Sequence, residues 1–122
     1  MLKVSLLGLG LLAGSLFAQD SVISNTQTNN YHLAVVSKDN LKVGENQLKI
    51  DTKYKAANYN GMDVNLTLYT PDNKELHYNH ISSGEYFKAD LPSKGEYRYS
   101  VKFSSSVGAV SHNTMGSFSL WI

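Results

Sequence analysis

Hydrophobic residues are laid out along this chain in two ways. From Val4 to Ala18 they form an almost unbroken run (VSLLGLGLLAGSLFA), preceded by Met1–Leu2–Lys3 and followed by polar Gln19–Asp20. From Tyr31 onward they alternate with polar residues in short stretches. Alternation with a period of two is the mark of a strand with one face buried. It predicts strands at Tyr31–Ser37, Asn46–Tyr54, Val64–Thr70, Glu75–Ile81, Tyr86–Leu91, Glu96–Ser104 and Met115–Ile122. In Asn46–Tyr54, Leu48, Ile50 and Thr52 point one way, and Lys49, Asp51 and Lys53 the other. In Glu96–Ser104, Tyr97, Tyr99, Val101 and Phe103 alternate with Arg98, Ser100, Lys102 and Ser104. Pro71–Asp72–Asn73, Ser82–Ser83–Gly84 and Pro92–Ser93–Lys94–Gly95 supply turn residues between the strands. No stretch keeps a helical period over three turns. Seven short strands at even spacing predict an all-β, immunoglobulin-like, seven-stranded antiparallel β-sandwich over 31–122. Tyr97 stands where a tyrosine corner would bond its hydroxyl to nearby backbone. An ordinary inward core position is the other reading of that residue. The polar stretch 19–30 (QDSVISNTQTNN) reads as a flexible leader.

The apolar start places that domain. A basic n-region, an apolar h-region and a small-residue exit describe a secretory signal peptide, with cleavage expected after Ala18. The run is shorter than the about 20 residues a membrane-spanning helix needs. An uncleaved anchor is the alternative. The chain has no Cys, so a lipid-anchored form is excluded and no disulfide can hold the domain. The expected product is a periplasmic or secreted domain beginning at Gln19, with no retained membrane anchor. Of the 11 Lys and Arg, Lys3 falls in the signal peptide, which leaves ten against the 10 Asp and Glu. This balance gives no electrostatic reason to bind nucleic acid.

Catalytic signatures are missing. The chain has no Cys nucleophile, no Gly-rich phosphate loop, no His-Glu-x-x-His and no Gly-x-Ser-x-Gly elbow. A non-enzymatic protein is expected. The residues left to carry chemistry are His and Met. His112-Asn-Thr-Met115 precedes the last predicted strand, and His77-Tyr-Asn-His80 precedes the Ser82–Gly84 turn. Imidazole and thioether suit Cu(I), and imidazole also suits Cu(II) and Zn. Residues three apart point to opposite faces of a regular strand. Either pair therefore needs a bend to share an ion. Gly108, Gly116 and the Ser-rich loop would supply one for His112 and Met115. Met62, beside Gly61, is a further candidate ligand. His32 reads as a solvated or hydrogen-bonded side chain, and Met115 also fits core filling near a sheet edge.

Several short motifs resemble one family. They are Leu41–Lys42–Val43–Gly44–Glu45–Asn46, Val64–Tyr69, Gly84–Glu85–Tyr86–Phe87–Lys88–Ala89–Asp90–Leu91 and Gly95–Glu96–Tyr97. Over roughly Tyr31 to Ile122 the chain resembles the YtkA-like or FixH-like periplasmic immunoglobulin-like domains. With its signal peptide and small size it is also similar to secreted copper-resistance determinants. The resemblance implies a copper ion as ligand, Cu(I) or Cu(II), and a role in copper resistance or delivery. A copper efflux or oxidase-assembly system is the implied partner. Where related domains carry a Met-rich segment, this chain has His77 and His80. The alternatives are a metal-independent interaction module and an accessory of oxidase assembly.

Overall fold

The computed structural model describes residues 20–104 and 111–121. The expected signal peptide, 1–18, lies outside them, as do Gln19, Gly108 and Ile122. The described residues form strands β1 (Ser21–Thr28), β2 (Tyr31–Ser37), β3 (Gly44–Tyr54), β4 (Ala57–Asn58), β5 (Asp63–Tyr69), β6 (Glu75–Ser82), β7 (Phe87–Leu91), β8 (Gly95–Ser104) and β9 (Ser111–Leu120). One sheet runs β1-β2-β3-β4, with β7 on the free edge of β3. The other runs β6-β5-β8-β9. Every pairing is antiparallel. No helix is present among the described residues.

The alternation read from the sequence decides which residues fill the space between the sheets. Leu33, Val35, Ile50 and Leu91 from the first sheet meet Val64, Leu66, Leu68, Tyr97, Tyr99, Val101, Phe103, Phe118 and Leu120 from the second. A period of two puts each set on one face, and burying them supplies the main favourable term in folding. Tyr97 stacks on Phe118 with ring centroids 5.4 Å apart. Its hydroxyl donates to the Ser93 carbonyl (2.6 Å) and accepts from the Ser93 N–H (3.2 Å). The backbone bond expected of a tyrosine corner is therefore present.

Two expectations need correction. The stretch 19–30 is not a flexible leader in its described part: Ser21–Thr28 is a strand paired along its length with β2. The strand count is accordingly nine among the described residues, where seven were expected, β4 being the second addition. Ser, Asn, Thr and Gln hid β1 because, Ile23 apart, its inward residues are not apolar. They are matched instead to polar groups across the sandwich. Ser24 Oγ lies 2.6 Å from the Tyr99 hydroxyl. Thr26 Oγ1 lies 2.5 Å from Thr114 Oγ1 and 3.1 Å from the Met115 carbonyl. A two-residue turn with Asn29 at φ +53° returns the chain into β2, a conformation Asn tolerates.

Tyr99 reaches Ser24 only because of what stands opposite it. In the β8–β9 register its partner is Gly116, and a Cβ there would lie 2.4 Å from the Tyr99 hydroxyl. Gly116→Ala should therefore push the ring aside and break the bond to Ser24. We expect a loss of about 1–3 kcal/mol, read as a lower urea midpoint with an unchanged slope. An unchanged midpoint would contradict this account of the seam.

The turn between β3 and β4 carries the opposite liability. Lys55 and Ala56 both adopt left-handed backbone, at φ +50° and +68°. This conformation costs an L-residue about 1–2 kcal/mol, and Gly escapes most of that cost at an entropic penalty of about 0.5–1 kcal/mol. Ala56→Gly should raise the urea midpoint, by an amount equivalent to roughly 1 kcal/mol or less. A lower midpoint would argue that the Ala56 methyl makes a stabilising contact.

Candidate functional site

The five residues expected to bind metal fall in three places. His112 and Met115 share β9, but the strand runs unbroken from Ser111 to Leu120, so the two keep opposite faces. His112 stands across from inward Phe103, and Met115 across from Ser100. The His112 ring packs against Tyr31 (4.7 Å between centroids) and Phe103 (5.3 Å). Its Nδ1 lies 3.2 Å from the Asn29 side-chain amide. Met115 is 75% exposed on the outer face. The bend that would join this pair is absent.

Met62 precedes β5 and points inward, in step with Val64 and Leu66, and is 2% exposed. A small polar knot fixes it there. Ser83 Oγ accepts from the Met62 N–H (2.9 Å), the Ser83 N–H donates to the Met62 carbonyl (3.0 Å), and Thr52 Oγ1 donates to Ser83 Oγ (3.2 Å). The thioether thus belongs to the core, on the face of its sheet opposite to the exposed histidines.

His77 and His80 are the pair that the structure does put on one face. Both belong to β6, an edge strand, and the required bend is a β-bulge. Val64 pairs with Ile81 and Leu66 with Tyr78, so Asn79 and His80 together oppose Asn65. The additional residue resets the alternation. Tyr78 and Ile81 both turn toward the core while His77, Asn79 and His80 are exposed. His80 takes left-handed backbone, φ +57°, and its N–H donates to Asn65 Oδ1 at 2.8 Å. The side chains of His77 and His80 are 53% and 80% exposed.

Each of these imidazoles has its own carboxylate. His77 Nε2 is 3.0 Å from Glu75 Oε1, and its Nδ1 is 3.2 Å from Thr67 Oγ1. His80 Nδ1 is 3.3 Å from Asp63 Oδ1. An ionised carboxylate only accepts hydrogen bonds, so the nitrogen facing it carries the proton. In the neutral ring the lone pair is then on Nδ1 of His77, which accepts from the Thr67 hydroxyl, and on Nε2 of His80, which points away from Asp63. Carboxylates that orient an imidazole in this way are the usual outer partners of metal-ligating histidines. Among the described residues no group of three or more His, Asp or Glu side chains is arranged to hold an ion by itself.

Asp63 and Glu75 were not singled out in the sequence. Glu75 was legible, since it stands two residues before His77 and so shares its strand face. Asp63 reaches His80 across strands and in register with a bulge, and neither is written in local spacing. Elsewhere on the surface, Lys49 bridges Asp20 (3.3 Å) and Asp51 (3.8 Å). A hydrogen bond from the Tyr86 hydroxyl is the largest influence holding the Asp20 carboxyl below the usual carboxylate range.

Comparison of the chain with protein-family models, with curated proteins and with solved structures finds no match.

The two methionines described here differ in access to an oxidant. Peroxide should convert Met115 to the sulfoxide well before Met62, because a thioether packed in the core is shielded. Peptide mapping during a peroxide titration reads this directly. Oxidation of Met62 at the rate of Met115 would mean that the core opens far more readily than its packing indicates.

Proposed function

We propose that the chain is an exported, non-enzymatic, immunoglobulin-like β-sandwich that binds copper and contributes to copper resistance or delivery. The observation that carries this reading is the bulge in β6. It sets His77 and His80 on one solvent face, each turned by a carboxylate that leaves the other ring nitrogen with its lone pair. On this reading one copper ion takes His77 Nδ1, displacing the Thr67 hydroxyl, and His80 Nε2. Water or a partner's side chain completes its coordination. Imidazole and carboxylate favour Cu(II). Of the thioethers that favour Cu(I), Met62 is in the core and Met115, although on the same outer face, is at the opposite edge of the sheet. Ligands this exposed suit an ion that is held and then passed on. His112, Met115 and Met62 have no part in this version of the site. The export expected from the apolar start would place such a site where copper is met outside the cytoplasm.

Competition of the full chain, and of the chain beginning at Gln19, against a calibrated chelator tests the reading. Cu(II) should bind tighter than about 1 μM. His77→Ala combined with His80→Ala should abolish binding, while Met115→Ala leaves it unchanged. Glu75→Gln or Asp63→Asn should weaken it by about 10-fold or more, the usual cost of losing an outer partner. Absence of binding at that level, or indifference to the double histidine change, would overturn the proposal.

A second reading, a metal-independent interaction module, is favoured by Met115 and Trp121, the latter 71% exposed near the end of the described chain. Capture of one stable partner, unaffected by chelators and lost with Trp121→Ala, would select it. An accessory of oxidase assembly is a narrower form of the same reading.

A further inference from the structure

Away from β6, one end of the sandwich gathers rings that the copper reading does not use. Tyr31 opens β2 and stands directly across from Tyr54 at the end of β3. Their ring centroids are 4.8 Å apart. Tyr59 flanks both, at 6.4 Å from Tyr31 and 6.1 Å from Tyr54. Phe103 and His112 back Tyr31 from the core side, at 5.2 and 4.7 Å. Tyr54 reaches solvent, with 36% exposure, and Lys55 Nζ sits 5.4 Å from its ring centroid.

We propose that Tyr31 and Tyr54 form an intramolecular dityrosine under one-electron oxidation, a covalent staple across β2 and β3 in a chain that has no cysteine. The oxidant is a peroxide acting through a peroxidase-type catalyst. Each phenol gives up one electron to the oxidant and its hydroxyl proton to water, leaving two phenoxyl radicals. The radicals couple through ring carbons next to the hydroxyls, and one C–C bond forms. The two ring hydrogens at those carbons then move to the phenol oxygens as the rings regain aromaticity. One peroxide is reduced to two waters, and the protein loses two hydrogens.

Three features select this pair over the other two tyrosine pairs. Its rings are already near the spacing of two directly bonded rings, whereas both pairs with Tyr59 must close by more than an ångström. Tyr31 and Tyr54 are held opposite one another by the strand ladder, whereas Tyr59 follows β4 in a loop. Finally, the rings behind Tyr31 keep it from turning away. The phenols are close enough to sense one another: burial first, then Tyr59 and Tyr54, raises the Tyr31 pKa. The shift favours the protonated phenol further, so its oxidation and proton loss occur together. The inference is independent of the copper site.

Dilute full-length protein treated with hydrogen peroxide and a peroxidase tests it. The expected product is a monomer lighter by two hydrogens, with dityrosine fluorescence and a cross-linked peptide pair containing Tyr31 and Tyr54. The same treatment in denaturant should lose that specific link. Tyr54→Phe should abolish the monomeric product and Tyr59→Phe should retain it. Mapping in the unaltered chain decides the question even where a variant folds poorly. A link through Tyr59, a product formed only between chains, or no product would each overturn the proposal.

Discussion

The bond between Ser24 and Tyr99 ties the edge of one sheet to the interior of the other, and the closed side of the sandwich depends on it. β1 and β9 lie at the edges of different sheets, and side-chain hydroxyls carry the joint between them. A hydrogen bond of this kind contributes about 0.5–1.5 kcal/mol net, while a buried partner left unsatisfied costs about 1–3 kcal/mol. Buried Tyr99 raises those stakes. Its pKa is pushed up by burial, with the Ser24 bond opposing. Burial thus favours the neutral phenol, which the Ser24 hydroxyl partners. Gly116 is the geometric condition for all of this, because the ring crosses β9 where a side chain would block it.

This seam also explains what could be read from the sequence and what could not. β5 and β8 were legible because their inward positions are apolar at every second residue, and burial follows that pattern. β1 was not, because Ser24 and Thr26 face inward as hydroxyls whose partners, Tyr99 and Thr114, lie some ninety positions away at most. A polar strand satisfied by distant polar groups has no local hydrophobic signature. β4 was hidden differently: it is two residues long, behind a turn of Lys and Ala in place of the usual Asn-Gly.

The candidate site divides along the same line. His112 with Met115 and His77 with His80 have the same spacing, and in a regular strand neither pair can share a face. One strand stayed regular and the other did not. β9 is gripped by β8 along its whole length and by the hydroxyls of β1, which leaves no freedom for an inserted residue. β6 is an edge strand as β9 is, but it lacks the grip of β1, and at an edge a bulge disturbs the ladder least. Whether a bulge interrupts the strand, which spacing does not encode, thus separates two otherwise equivalent motifs.

The bulge has a structural use whether or not metal binds. An edge strand with its backbone groups open invites pairing with another chain, and a bulge with polar outward residues discourages it. That use alone does not call for histidine at the left-handed position. Asn or Gly would take φ +57° at less cost, and Asn79 is the adjacent residue. Instead the strained position holds an imidazole whose Nδ1 meets Asp63 while its backbone N–H is capped by Asn65. Protecting the edge accounts for the bulge. It does not account for a carboxylate-oriented histidine at its apex, or for a second one on the same face paired with Glu75. Backbone strain spent on aiming a side chain is the pattern found at functional sites, and it is the physical reason to look for chemistry on this edge before the half-buried His112 ring of β9.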